Sequence, residues 1–222
     1  VMTTSPTPQA RPERRPGDIE LRSYFATPIA VVEAENAAAI NRALTDTILA
    51  REKSHPSVQH SNLGGWQSSW DFPSWGGEAG ETILRTAVAL ANRMTAGRQG
   101  KPVDIKWRLN AWANVNRAGH GNEFHTHPGS YWSGTYYVDD GGIGEDPSLG
   151  GEFEMQDPRG VAPAMYAPML SFATPGGRSV GASELIRPKA GTMVLFPAWL
   201  SHGVRPYRGQ RTRISLAFNL SL

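Results

Sequence analysis

Near residue 100 the spacing of apolar residues changes from about every 3.6 positions to every second one, and that switch constrains the fold more than any single motif. Upstream, Ile40, Leu44 and Ile48 recur at four-residue spacing and predict an amphipathic helix over Asn36–Lys53. Ile83, Leu84, Val88, Leu90 and Met94 predict a second over Glu78–Ala96, with Gly97 as its stop. Downstream, Ile105–Asn116 alternates an apolar set (Ile105, Trp107, Leu109, Ala111, Ala113, Val115) with a polar one that contains Trp112. The last strand repeats this, with Ile214, Leu216, Phe218 and Leu220 opposite Arg213, Ser215, Ala217 and Asn219. Ser133–Val138, Glu152–Gln156, Glu184–Arg187 and Thr192–Phe196 read as short strands between Gly, Pro and Asp turns. Helices followed by at least six strands predict a mainly β fold, an antiparallel barrel or sandwich with the helices on one outer face. If the apolar strand faces pack on the helices, the faces rich in Asn, Arg and Ser must line an interior cavity or meet water. A polar-lined barrel mouth follows.

Composition narrows the chemistry. The 222 residues include no cysteine, which excludes disulfides, thiolate zinc sites, iron–sulfur clusters and a cysteine nucleophile. With 39% apolar residues, 24 glycines and 17 prolines, the chain is globular and rich in turns. The net charge of +2 resides in VMTTSPTPQARPERRPG, where Arg11, Arg14 and Arg15 outnumber Glu13. Residues 1–17 therefore read as a mobile tail and 18–222 as one neutral domain, with no basic face for nucleic acid. No apolar run approaches the about 18 residues of a membrane span, and the N-terminus lacks a signal-peptide core, so a cytoplasmic protein is expected. The oligomeric state stays open, a homodimer included.

Between the helices, Gly64–Gly77 carries Trp66, Trp70 and Trp75, a loop too aromatic to be merely solvated. Of six histidines, His55, His60 and His120 lie in polar, loop-like sequence and read as exposed without a role. His125 and His127, at i and i+2 of an extended segment, point to one face and form a two-point chelate for a divalent metal. His202 follows an apolar strand and is placed to complete a facial set of three, suited to Fe(II), Zn(II), Cu(II) or Ni(II). Arg213 sits on the polar face of the last strand with Ser215 two residues on. An arginine inside a barrel is costly unless it holds an anion, and the pair offers a fork and a hydroxyl to a carboxylate. Trp132 and Trp199 flank ligands and are candidates for pocket walls or for plain core packing.

The runs HTHPGSYWSGTYYV, GGEFEMQDPRG and GTMVLFPAWLSHGVRP…RTRISLAFN resemble the bacterial and phage 2-oxoglutarate–Fe(II) oxygenases, relatives of the prolyl-4-hydroxylase-like dioxygenases. SNLGGWQSSWDF resembles the same family's N-terminal signature, so the resemblance extends from about Ser61 to the C-terminus. It implies a double-stranded β-helix (a jelly roll, a cupin-like barrel) with iron at its open end. His125 then matches the first ligand and His202 the distal one. Arg213 and Ser215 match the residues that take the far carboxylate of 2-oxoglutarate, and Tyr137 a position where relatives place a second carboxylate-binding hydroxyl. The implied reaction uses Fe(II), 2-oxoglutarate and O2 to hydroxylate a small-molecule or peptide substrate, releasing succinate and CO2.

The departure from the family pattern is His127, where relatives carry a carboxylate. Either His127 binds, giving three histidines, or a neighbouring acid (Glu123, Glu152, Glu154 or Asp157) takes its place; the i+2 offset favours His127. The alternative functions are a cupin-type metalloenzyme, an isomerase or 2-oxoglutarate-independent dioxygenase, and a non-catalytic metal-binding module. Against the cupin reading, Tyr131 and Trp132 stand where its first motif needs a glutamate, and Arg213 has no role. Substrate choice is expected to lie in Gly64–Gly77, Asp139–Leu149 and Gly160–Ser183.

Overall fold

A computed structural model describes residue 19 and residues 25–160, 167, 169–170, 172–174, 177–179 and 183–222. The expected tail over 1–17 and much of the 160–183 loop lie outside the described residues. In chain order the elements are β1 (Ala30–Glu33), α1 (Ala37–Ser54), β2 (Asn62–Leu63), β3 (Trp66–Gln67), α2 (Gly77–Met94), β4 (Arg108–Asn116) and β5 (Gly121–His125). They continue with β6 (Trp132–Asp139), β7 (Phe153–Gln156), β8 (Phe172–Thr174), β9 (Gly177–Ser179), β10 (Ser183–Ile186), β11 (Thr192–Pro197), β12 (His202–Val204) and β13 (Arg213–Ser221).

Two antiparallel sheets build the jelly roll, one ordered β1-β11-β6-β13-β4-β3 and the other β10-β7-β12-β5-β2. The alternation in β4 and β13 does what its period demands. Ala111, Ala113, Val115, Ile214, Leu216, Phe218 and Leu220 turn to one side and join Leu44 and Ile48 of α1 and Ile83, Leu84, Ala87 and Ala91 of α2 in one buried cluster. Each Val, Leu, Ile or Phe among them contributes about 1.5–3 kcal/mol when removed from water, so the helices are held on the outer face by this contact.

Two boundaries differ from the sequence expectation. The strand expected from Ile105 begins at Arg108, because its partner β13 ends at Ser221, which pairs with Arg108. The second helix stops at Met94, ahead of Gly97. Thr95 turns extended, and its hydroxyl donates to Ala91 O at 2.7 Å and accepts from Trp132 Nε1 at 2.8 Å. Within Gly64–Gly77 the chain is not all loop: β3 pairs Trp66 with Val115 and Gln67 with Asn114.

Gly134, the glycine of GTYYV, allows β6 to pass between its neighbours. A Cβ there would lie 2.4 Å from Phe218 Cζ and 2.7 Å from the Val194 carbonyl oxygen. Gly134→Ala is expected to cost about 1–3 kcal/mol or more in a denaturant titration, since a backbone oxygen cannot step aside. No helix among the described residues is long and apolar enough to cross a membrane.

Candidate functional site

The polar faces of β4, β13 and β6 meet in register on the inner side of the larger sheet. Asn110, Asn219 and Ser133 form one rung; Trp112, Ala217 and Thr135 the next; Asn114, Ser215 and Tyr137 a third; Asn116 and Arg213 close the ladder. The smaller sheet supplies histidines from the facing side. His202, first residue of β12, is the direct cross-strand partner of His125, last residue of β5, and their ring centroids are 4.4 Å apart. His127 lies just past β5, where its backbone N–H donates to Ala198 O at 2.9 Å. Its ring centroid is 4.9 Å from that of His125 and 5.1 Å from that of His202. One nitrogen from each ring falls within 4.8 Å of the others, close enough for a single divalent cation.

The tautomers of two rings are fixed by acceptor-only partners. His125 Nδ1–H donates to Glu123 O and His202 Nδ1–H to Leu200 O, both at 2.7 Å, which makes each Nε2 an acceptor; that of His125 faces the Ser61 hydroxyl at 3.4 Å. Burial keeps all three imidazoles neutral. It pushes His127 down to about 3 and His202 to about 4, helped by repulsion from the neighbouring rings, and lowers His125 as well. Because the folded values lie below the ordinary 6.5, the unfolded chain takes up protons first. Stability from these groups is therefore full above pH 6.5 and falls as pH drops toward 4. Thermal denaturation of the metal-free protein is expected to show this acid slope, and a His127→Ala, His202→Ala double variant to flatten it.

Two cavities meet at the histidines. The outer one, about 300 Å³, is walled by Trp70 and Trp112 and lined by His60, Gln67, Asn110 and Asn219, with no Asp, Glu, Lys or Arg among the described residues that line it. The inner, narrower one is bounded by Asn114, Tyr137, Phe153, Phe196, Arg213 and Ser215. Ser61, Trp112, His125 and His127 border both. Arg213 is 2% exposed, and its Nε has no hydrogen-bond partner; the hydroxyl of Tyr137, 1% exposed, has none either. The guanidinium carbon lies 5.4 Å from the Tyr137 ring centre, and Ser215 pairs with Tyr137 across the strands. Burial lowers the Arg213 pKa and pushes Tyr137 up to about 12, so the pair presents a cation and a neutral hydroxyl. A buried cation with unused donors costs several kcal/mol unless an anion joins it. A small carboxylate fits that demand.

The structure brings together His125, His127 and His202, and separately Tyr137, Arg213 and Ser215. None of the four acids weighed as ligands joins the histidine cluster among the described residues. Glu154 is held by Arg205, at 2.7 Å and 3.1 Å, and by Ser183; Asp157 is held by Arg159. The tryptophans flanking the ligands do not wall the pocket. Trp132 is 3% exposed in the helix-facing core, and Trp199 is 57% exposed, outside both cavities. Trp132 shares strand parity with Tyr136 and Val138, whereas Trp112 sits on the Asn-rich face of β4, a signal already in the alternation. His60, read from sequence as having no role, lines the outer cavity and meets the Trp70 ring edge-on at 5.8 Å.

A jelly roll carrying a cluster of neutral imidazoles above a buried, unpartnered arginine defines a metal- and carboxylate-binding class. Residues 110–219 match the family described as "Putative 2OG-Fe(II) oxygenase", and over that region the chain belongs to it. The protein is a 2-oxoglutarate- and Fe(II)-dependent oxygenase, an oxidoreductase. Among solved structures, the fold is similar to a prolyl-4-hydroxylase of Pseudomonas putida (18% identity, 88% of this chain and 92% of that one, TM-score 0.61). It is also similar to a prolyl hydroxylase of Trichoplax adhaerens in complex with a hypoxia-inducible factor peptide (14%, 87% and 83%, TM-score 0.62). HygX of Streptomyces hygroscopicus, with nickel and 2-oxoglutarate bound, is a third (12%, 88% and 83%, TM-score 0.56). No curated protein sequence matches the chain.

Proposed function

We propose that His125, His127 and His202 hold the Fe(II), and that Arg213, Ser215 and Tyr137 bind the distal carboxylate of 2-oxoglutarate in the inner cavity. The substrate, a small molecule or a peptide, enters the outer cavity. The observation that carries this reading is the buried Arg213 with its unused Nε beside the equally unpartnered Tyr137 hydroxyl. With both cofactors bound, O2 converts 2-oxoglutarate to succinate and CO2 and places one oxygen atom in a substrate C–H bond. The chain supplies positions and dryness: Arg213 forks onto the carboxylate, Tyr137 and Ser215 donate to it, and Phe153 and Phe196 exclude water. Because the described residues lining the outer cavity include no Asp, Glu, Lys or Arg, the group presented to the iron is uncharged, set between indoles and addressed by the amides of Gln67, Asn110 and Asn219.

Anaerobic addition of Fe(II) and then 2-oxoglutarate is the test. The expected result is saturable binding of one 2-oxoglutarate that depends on metal, seen as a weak visible charge-transfer band. Absence of both band and binding would sink the assignment.

A further inference from the structure

His127 differs from the other two histidines in its outer partner. Its Nδ1 faces Asn219 Nδ2 at 3.5 Å, where its companions each donate Nδ1–H to a backbone carbonyl. Asn219 is 8% exposed, and its Oδ1 accepts from the Ser133 hydroxyl at 2.7 Å. In that arrangement the amide donates to Nδ1, so the neutral ring carries its proton on Nε2, the nitrogen a metal would need. A metal-ready ring requires the reverse tautomer, with Nδ1–H donating to an oxygen. Asn219 can meet both demands by turning its amide through half a revolution, and Ser133 can follow because a hydroxyl both donates and accepts.

We infer that Asn219, backed by Ser133, is the positioning residue that sets the tautomer of His127 and admits it to the metal site. In the structure the chain of contacts runs Ser133 O–H to Asn219 Oδ1 and Asn219 N–H to His127 Nδ1. In the loaded state it runs His127 Nδ1–H to Asn219 Oδ1 and Asn219 N–H to Ser133 Oγ. The ring holds one proton throughout, moved from Nε2 to Nδ1 through solvent, and the Nε2 lone pair is released. A backbone carbonyl could not do this, since it only accepts. This inference rests on His127 being a ligand as proposed above.

The test compares metal affinity in the full chain, with Co(II) and Zn(II) as probes followed by calorimetry and by the Co(II) visible spectrum. Asn219→Leu keeps volume but removes both acceptor and donor, and is expected to weaken binding about 10–100-fold, the range found for loss of an outer partner of a ligating histidine. Asn219→Asp supplies an acceptor only and is expected to restore parental affinity or exceed it. Nitrogen-15 NMR is expected to show His127 as the Nε2–H tautomer in the metal-free protein and as Nδ1–H with Zn(II), a change that a purely structural role for Asn219 would not produce. If Asn219→Leu binds as the parent does, or the tautomer is the same with and without Zn(II), the inference fails. His127→Ala separates the two levels: undiminished Co(II) affinity in that variant overturns the ligand assignment itself, whatever Asn219 does. Should Asn219→Leu misfold, Asn219→Asp and the NMR measurement still decide.

Discussion

Arg213→Ala is expected to raise the Kd for 2-oxoglutarate by about 10²–10³-fold while leaving Co(II) or Fe(II) affinity close to parental. Truncating one partner of a buried, hydrogen-bonded charge pair costs about 2–5 kcal/mol, and each 1.4 kcal/mol is tenfold in affinity. The metal should be spared because Arg213 lies at the far end of the ladder from Asn219 and His127, bordering only the inner cavity. Stability provides an independent readout. In the ligand-free protein the guanidinium is buried with an unused donor, so its removal is expected to leave thermal stability unchanged or raise it. At about 100 times the parental Kd, 2-oxoglutarate should stabilise the metal-loaded parent by about 2.7 kcal/mol and the variant by no more than about 0.4 kcal/mol. Equal loss of metal and cosubstrate would show Arg213 to be structural and its proposed role wrong. Arg213→Lys is expected to recover only part of the affinity, because a point charge cannot reproduce the planar fork.

His202→Gln is expected to abolish tight metal binding, with a loss larger than the about 10–100-fold typical of an outer-shell partner, and with it all 2-oxoglutarate turnover. Glutamine approximates the imidazole volume between Phe153 and Phe196, whose rings lie 5.3 Å and 4.6 Å from that of His202. The stability cost should therefore remain within about 1.5 kcal/mol, as for other volume-conserving changes. The large effect follows from register. His202 is paired directly with His125 across β12 and β5, so no other side chain on either strand can occupy the same position. Metal content by elemental analysis after dialysis measures the first effect, and calorimetric unfolding the second. Retention of a full equivalent of metal would remove His202 from the ligand set.

Much of this was readable along the chain, and the physical reason is period. Alternation in β4 and β13 is local, so the face bearing Arg213 and Ser215 and the face bearing Leu216 and Phe218 could be told apart without coordinates. His125 and His127 are likewise linked by an offset of two. The boundaries were less accessible because they depend on partners: β4 starts where β13 runs out, and α2 ends where Thr95 finds the indole of Trp132. The outer cavity was hardest. His60 and Ser61 reach it through the β2–β5 pairing of Asn62 with Asn122, while Gln67 depends on the pairing of β3 with β4. The three tryptophans of Gly64–Gly77 marked it as a packed loop and a place where substrate is chosen, but which of its residues reach the cavity depends on that pairing. Asp139–Leu149, expected to help choose substrate, borders neither cavity; Asp139, Asp140 and Asp146 accept instead from Gly141 N–H, Gly142 N–H and Ser148 N–H in its own turns.

The sequence by itself determined the order of helices and strands, the absence of sulfur ligands, the interior polar face and the candidates His125, His127, His202, Arg213, Ser215 and Tyr137. These follow from composition, short-range periodicity and motifs in the chain, except Tyr137, which the family resemblance alone supplied. Only the tertiary structure decided that none of the candidate acids joins the histidines, that Arg213 Nε has no hydrogen-bond partner among the described residues, and that Asn219 stands behind His127. Those facts depend on distances between residues far apart in the chain, which strand register and sheet closure create.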